Sequence, residues 1–140
     1  MHIKWLYTLL FILFLGSCTY LPEEIETSEA VLVEEQTGYI TLRSVNEPVK
    51  STGLFFYPGG LVDFHAYIPL MQLIAEEGYP VVILKVTGNA AILNSSKTQR
   101  YRDDFEDIDQ WVVAGHSLGG IKACKDVEDD ADSFLGLILL

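Results

Sequence analysis

The segment Gly115-His116-Ser117-Leu118-Gly119-Gly120 constrains this chain more than any other, because few backbones tolerate such a turn. It stands directly between a short apolar run, residues 111–114, and a helical pattern over residues 118–127. A strand that turns this sharply into a helix forces the apex, Ser117, into a strained conformation. The positions two before and two after must lack side chains, because neighbouring backbone passes there. Gly115 and Gly119 meet that need. Ser117 is then expected to stand exposed at the carboxyl end of a sheet, beside a helix N-terminus. A phosphate cradle or an inert glycine-rich turn is the plainer alternative. A phosphate loop would carry a Lys directly after the glycines, and none stands there.

The rest of the body alternates strand and helix. Residues 30–34 and 39–45 are short apolar-alternating runs separated by Gln36-Thr37-Gly38, which predicts a hairpin. Residues 53–57, GLFFY, and 81–86, VVILKV, are continuous apolar runs, as in strands buried on both faces. Between them a helix is expected from an Asp63 N-cap to about residue 77, with Ala66, Leu70, Leu73 and Ile74 as its apolar face and Gly78 as its stop. Residues 87–96 read as a loop, 97–109 as a polar helix with a thin apolar face, and 134–140 as a last apolar strand. The predicted class is α/β: a doubly wound, mostly parallel sheet with an N-terminal hairpin. The 140 residues are 49% hydrophobic, which suits one packed domain.

The N-terminus is read as an address. Lys4 and the amino group precede an apolar stretch over residues 5–15, too short for a spanning helix, which needs about 20 apolar residues. Leu15-Gly16-Ser17-Cys18 follows and resembles the lipobox of bacterial lipoproteins. That resemblance implies that residues 1–18 are a lipoprotein signal segment whose cleavage leaves Cys18 as an acylated N-terminus, with several acyl chains anchoring the protein to a membrane of the cell envelope. Thr19 after the Cys favours the outer membrane if the host has two. The alternative is a plain secretory signal, or a short uncleaved anchor, with an incidental Cys. Residues 19–29, with Pro22 and four glutamates, are expected to be a solvated tether before the domain at 30–140. Nine Lys and Arg against twenty Asp and Glu give a net charge of −11, which argues against nucleic acid and against electrostatic docking to anionic lipid.

The segments FFYPGGLVDFHAYIPLMQLIAEEGYPVVILKV and WVVAGHSLGG together resemble the α/β-hydrolase superfamily, in particular its bacterial fold-5, dienelactone-hydrolase-like branch. The resemblance implies a serine nucleophile at Ser117 and an oxyanion donor at the Leu118 amide. It puts a second donor at the amide of Gly60 or Leu61, in the loop after GLFFY. Gly59 and Gly60 suit a close backbone approach to substrate. The implied substrate is a small-molecule ester or acyl compound, with no metal and no cofactor.

Other candidates read as structural. Asp63 is expected to cap its helix, His65 to lie at the surface, and His116 to pack or hydrogen-bond beneath the turn. Tyr57, Tyr67 and Trp111 are expected to be core aromatics and Cys124 a small core residue. The acidic run 126–132 is expected to be a solvated helix end.

A nucleophilic serine needs a histidine base and an orienting acid, which in this fold follow the serine in the order acid, then His. No histidine follows Ser117; the three are His2, His65 and His116. Asp126, Glu128, Asp129, Asp130 and Asp132 precede the last strand and are not where the acid belongs. The chain is therefore expected to be C-terminally incomplete, its full-length form a serine hydrolase and the 140 residues alone inactive. The alternative is a non-catalytic lipoprotein remnant or binding module.

Overall fold

The computed structural model describes residue 25, residues 27–86 and residues 98–140. The leader with Cys18, most of the 19–29 tether and the 87–96 loop lie outside the described residues. Strands β1 (Val31–Glu35) and β2 (Tyr39–Ser44) form the hairpin, with Val31 opposite Ser44 and Glu35 opposite Ile40. There follow β3 (Thr52–Tyr57), α1 (Ile68–Glu76), β4 (Val81–Leu84), α2 (Thr98–Arg102), β5 (Gln110–Gly115), α3 (Leu118–Asp129) and β6 (Gly136–Leu139).

The six strands make one sheet in the order β1-β2-β4-β3-β5-β6. The hairpin joins β4 antiparallel, while β4, β3, β5 and β6 run parallel. Alternation along β3 explains why both faces are filled. Leu54 and Phe56 point to one side, with Val81, Ile83 and Ala114, against Ile68, Met71 and Ala75 of α1. Phe55 and Tyr57 point to the other, with Val82, Leu84 and Val113, against Ala123 of α3 and Phe105, Ile108 and Trp111. The Phe55 and Trp111 rings stack with centroids 3.9 Å apart. Gly53 makes room for that indole: a Cβ there would lie 2.6 Å from Trp111 Cζ3. Helices on both faces of a mostly parallel sheet are the doubly wound arrangement that apolar runs of period one require.

Five local expectations are corrected. Asp63 does cap, its Oδ1 accepting from the His65 N–H at 2.9 Å, but the element it opens is a single 3-10 turn, Phe64–Tyr67. The α-helix proper starts at Ile68 with Pro69 in its first turn. Its buried face is Ile68, Met71 and Ala75, so Ala66, Leu70 and Leu73 turn outward and Ile74 is only partly covered. The polar helix after the loop is one short element, α2, and the chain from residue 103 to 107 is turn and irregular. The last strand is shorter than residues 134–140, because a 3-10 turn at Ala131–Ser133 delays its entry. Cys124 is exposed on α3 rather than packed.

Long-range ion pairs tie the hairpin to the rest. Arg43 of β2 holds Asp107 through Nη1–Oδ2 at 2.5 Å and Nη2–Oδ1 at 3.0 Å. The guanidinium keeps the Asp107 carboxyl below its ordinary value. A carboxyl depressed on folding adds stability above its unfolded pKa of about 4, and that gain disappears as pH falls through the folded pKa. Asp107 is about half exposed, so solvent screening limits the gain to below about 1 kcal/mol. Asp107→Asn should therefore lower the urea midpoint slightly at about pH 7 and leave it unchanged at about pH 2. A midpoint shift that persists in acid would mean that the residue acts by packing and not by charge.

Candidate active site

β3 and β5 lie side by side and parallel, with Tyr57 opposite Gly115, so their following loops emerge at one edge of the sheet. Beyond the strands the ladder continues for one residue, the His116 N–H donating to the Tyr57 carbonyl at 3.1 Å. The chain then turns at Ser117, whose φ of 53° and ψ of −118° lie outside the regions that L-residues favour. A Cβ on Gly119 would collide with the Tyr57 and Pro58 carbonyl oxygens, and one on Gly115 would lie 2.5 Å from the Gly120 nitrogen. Both positions lie against backbone, which cannot move aside as a side chain could.

Ser117 is exposed and immediately precedes α3. Its carbonyl accepts from the Gly120 N–H at 2.9 Å, and the Gly119 N–H donates to the His116 carbonyl at 2.8 Å. The Ser117 N–H is taken by the Leu140 carbonyl at 3.1 Å. The Leu118 amide is the first of α3, and the first amides of a helix have no intrahelical acceptor.

The facing loop is Pro58-Gly59-Gly60-Leu61 after β3. It touches the serine turn directly: a Cβ on Gly60 would collide with Leu118 Cδ1 and lie 3.2 Å from Leu118 Cγ. Leu61 has φ 60°. Among the described residues, Leu61 and Ser117 are the two non-glycine residues with positive φ, one in each loop. Backbone strain of about 1–3 kcal/mol at each is thus concentrated where the two loops meet. The Gly59 N–H is already used, donating to Tyr67 Oη at 2.9 Å. The site thus combines an exposed serine hydroxyl with the N-terminal amides of α3, and amides at a helix N-terminus favour negative charge placed beside them.

The described histidines pair elsewhere. His116 Nδ1 lies 2.9 Å from Tyr67 Oη. The His65 ring, 30% exposed, lies between Asp63 (Nδ1–Oδ1 2.7 Å) and Glu35 (Nε2–Oε2 3.3 Å). Glu35 also pairs with Lys85 at 2.5 Å, and chiefly through that hydrogen bond its carboxyl is held below its ordinary value.

Two features escaped the sequence reading. Asp126, taken as part of a solvated run, is buried at 2% exposure. Its Oδ2 accepts from Tyr57 Oη at 2.6 Å and Thr98 Oγ1 at 2.7 Å, while Oδ1 pairs with buried Lys122 one helical turn back. The i,i+4 spacing of Lys122 and Asp126 was the available signal. Tyr67, taken as a core aromatic, is only half-buried and joins the two loops of the site. No spacing pattern marks it.

The family whose sequence pattern matches residues 53–140 is described as "Alpha/beta hydrolase family". No curated protein matches the chain. Solved structures do. A bacterial brefeldin A esterase, described as a homologue of human hormone sensitive lipase, superposes with a TM-score of 0.59 at 16% identity, over 89% of this chain and 44% of its own. A thermostable esterase from Pseudomonas putida ECU1011 gives 0.57 at 18% identity, over 80% of this chain and 43% of its own. The hormone-sensitive-lipase homologue EstE7 from a metagenome library gives 0.57 at 14% identity, over 83% and 46%. At such identities the likeness is one of fold, and the chain spans less than half the length of these esterases.

Proposed function

The chain belongs to the alpha/beta hydrolase family, and on that premise we propose that it is the nucleophile-bearing part of a serine hydrolase acting on an ester-type carbonyl. Ser117 Oγ attacks the carbonyl carbon, and the leaving alcohol departs with a proton. Water then hydrolyses the resulting acyl-enzyme. The Leu118 amide and that of Gly60 or Leu61 hold the oxyanion, while Gly115 and Gly119 allow the turn. The observation that carries this reading is the contact of two strained loops at one sheet edge, with Ser117 exposed at the apex of one of them. Esterase structures of the same fold support the substrate class. The base and its acid would come from sequence beyond residue 140, since neither described histidine is hydrogen-bonded to Ser117.

A fluorophosphonate probe tests the assignment. The full-length protein should be labelled at Ser117, as read by peptide mass, and Ser117→Ala should not be labelled. The 140-residue chain should remain unlabelled, because an unactivated serine is a weak nucleophile. Labelling of that short chain at Ser117 would show that its base lies within it. A full-length protein that resists the probe would favour a binding module.

We propose also that Cys18 carries the lipid that anchors this protein to a membrane of the cell envelope, the support being the lipobox-like LGSC after an apolar stretch. Metabolic palmitate labelling and membrane fractionation should both be lost in Cys18→Ala. Retention of the membrane fraction by that variant would point to an uncleaved anchor.

A further inference from the structure

We infer that Tyr67 is a positioning residue that sets the spacing between the loop carrying Gly60 and Leu61 and the turn carrying Ser117. The inference rests on the nucleophile reading above and adds to it what holds the two halves of the site in register.

Tyr67 closes the 3-10 turn at Phe64–Tyr67, and its ring packs on Phe56 of β3 with centroids 4.8 Å apart. Its hydroxyl meets one partner from each loop at the same distance, the Gly59 N–H at 2.9 Å and His116 Nδ1 at 2.9 Å. An amide can only donate, so Oη accepts from Gly59. The same oxygen shares a second proton with His116 Nδ1, so one hydroxyl bridges both loops. The junction is tight: a Cβ on Gly59 would lie 2.6 Å from His116 Nδ1 and 2.9 Å from Tyr67 Oη. Glycine at 59 is what lets these groups converge.

The two partners occupy telling positions. Gly59 immediately precedes Gly60, and His116 immediately precedes Ser117. The hydroxyl therefore grips each loop one residue before the group that meets the substrate. An oxyanion donor works only within a few tenths of an ångström of its ideal distance. Loss of the hydroxyl frees Gly59 to drift, and the Gly60 and Leu61 amides drift with it. The effect should fall on the transition state and spare ground-state binding.

The test uses the full-length protein with p-nitrophenyl acetate, Ser117→Ala as reference, and amide hydrogen exchange at Gly59. Tyr67→Phe keeps the ring on Phe56 and removes only the hydroxyl. It should lower kcat by about tenfold with KM within about twofold, and speed Gly59 exchange by about tenfold. His116→Leu should do the same. The double variant should lose no more than the deeper single one, because both act through one junction. Unchanged kcat and unchanged Gly59 exchange in Tyr67→Phe, with Ser117→Ala inactive, would overturn the inference, as would losses that multiply in the double variant. Turnover surviving in Ser117→Ala would sink the nucleophile reading instead, and Gly59 exchange would still decide the junction. Should Tyr67→Phe fail to fold, His116→Leu carries the same comparison.

Discussion

Ser117→Ala should reduce kcat of the full-length protein on a simple ester by about 10⁴-fold or more, with KM changed only a few-fold. In the proposed mechanism the serine hydroxyl forms the bond to the carbonyl carbon, so its loss would remove the covalent route and leave only the proposed oxyanion donors and substrate binding to act on water. The substitution is local. Ser117 is exposed, and alanine at φ 53° meets the same backbone restriction as serine. The urea midpoint should therefore stay close to that of the parent protein. A loss of only about tenfold would mean that another group attacks the carbonyl.

Asp126→Ala should cost about 3–5 kcal/mol of folding stability, read from urea denaturation. Asp126 and Lys122 are 2% and 4% exposed, so removal of the carboxylate leaves an ammonium inside the protein without its counter-charge. Tyr57 and Thr98 lose the same acceptor oxygen. The position of the ion pair explains the scale. Lys122 and Asp126 line the inner side of α3, and Tyr57 ends β3, so the carboxylate bolts the helix after Ser117 to the strand before the Gly59-Gly60 loop. Replacing both partners, as in Lys122→Met with Asp126→Leu, should recover most of the loss, because no charge is then left buried. A drop below about 1 kcal/mol in the single variant would show that water reaches the Lys122 ammonium.

The fold was legible in the sequence where burial is two-sided. GLFFY and VVIL carry apolar residues at every position, and only strands covered on both faces require that. The hairpin was legible from its turn residues, and the serine turn from its glycines. The face of α1 was not. IPLMQLIAE is apolar at most positions, so periodicity could not choose between the stripe with Leu70 and Leu73 and the stripe with Ile68, Met71 and Ala75. Its phase depends on where the α-helix starts, and the preceding 3-10 turn moved that start from Asp63 to Ile68. Asp126 was lost among neighbouring acids, because the partners that bury it come from β3 and α2, far away in sequence. Tyr67 was missed for the same reason: its two hydrogen bonds join segments that only the folded sheet brings together.

The strand order also governs how the chain is made. β3 lies between β4 and β5, and both are synthesised after it. When Thr52–Tyr57 leaves the ribosome, neither of its hydrogen-bonding edges has a partner, and the hairpin already made pairs with β4 instead. Leu54 and Phe56 gain α1 and β4 first, but the second edge of β3 and the ring of Phe55 must wait until Gln110–Gly115 has emerged. During that interval the stickiest segment of the domain is open to wrong partners. Holding nascent chains unfolded until β5 is complete should therefore favour soluble product, and slow translation before that point should favour aggregates.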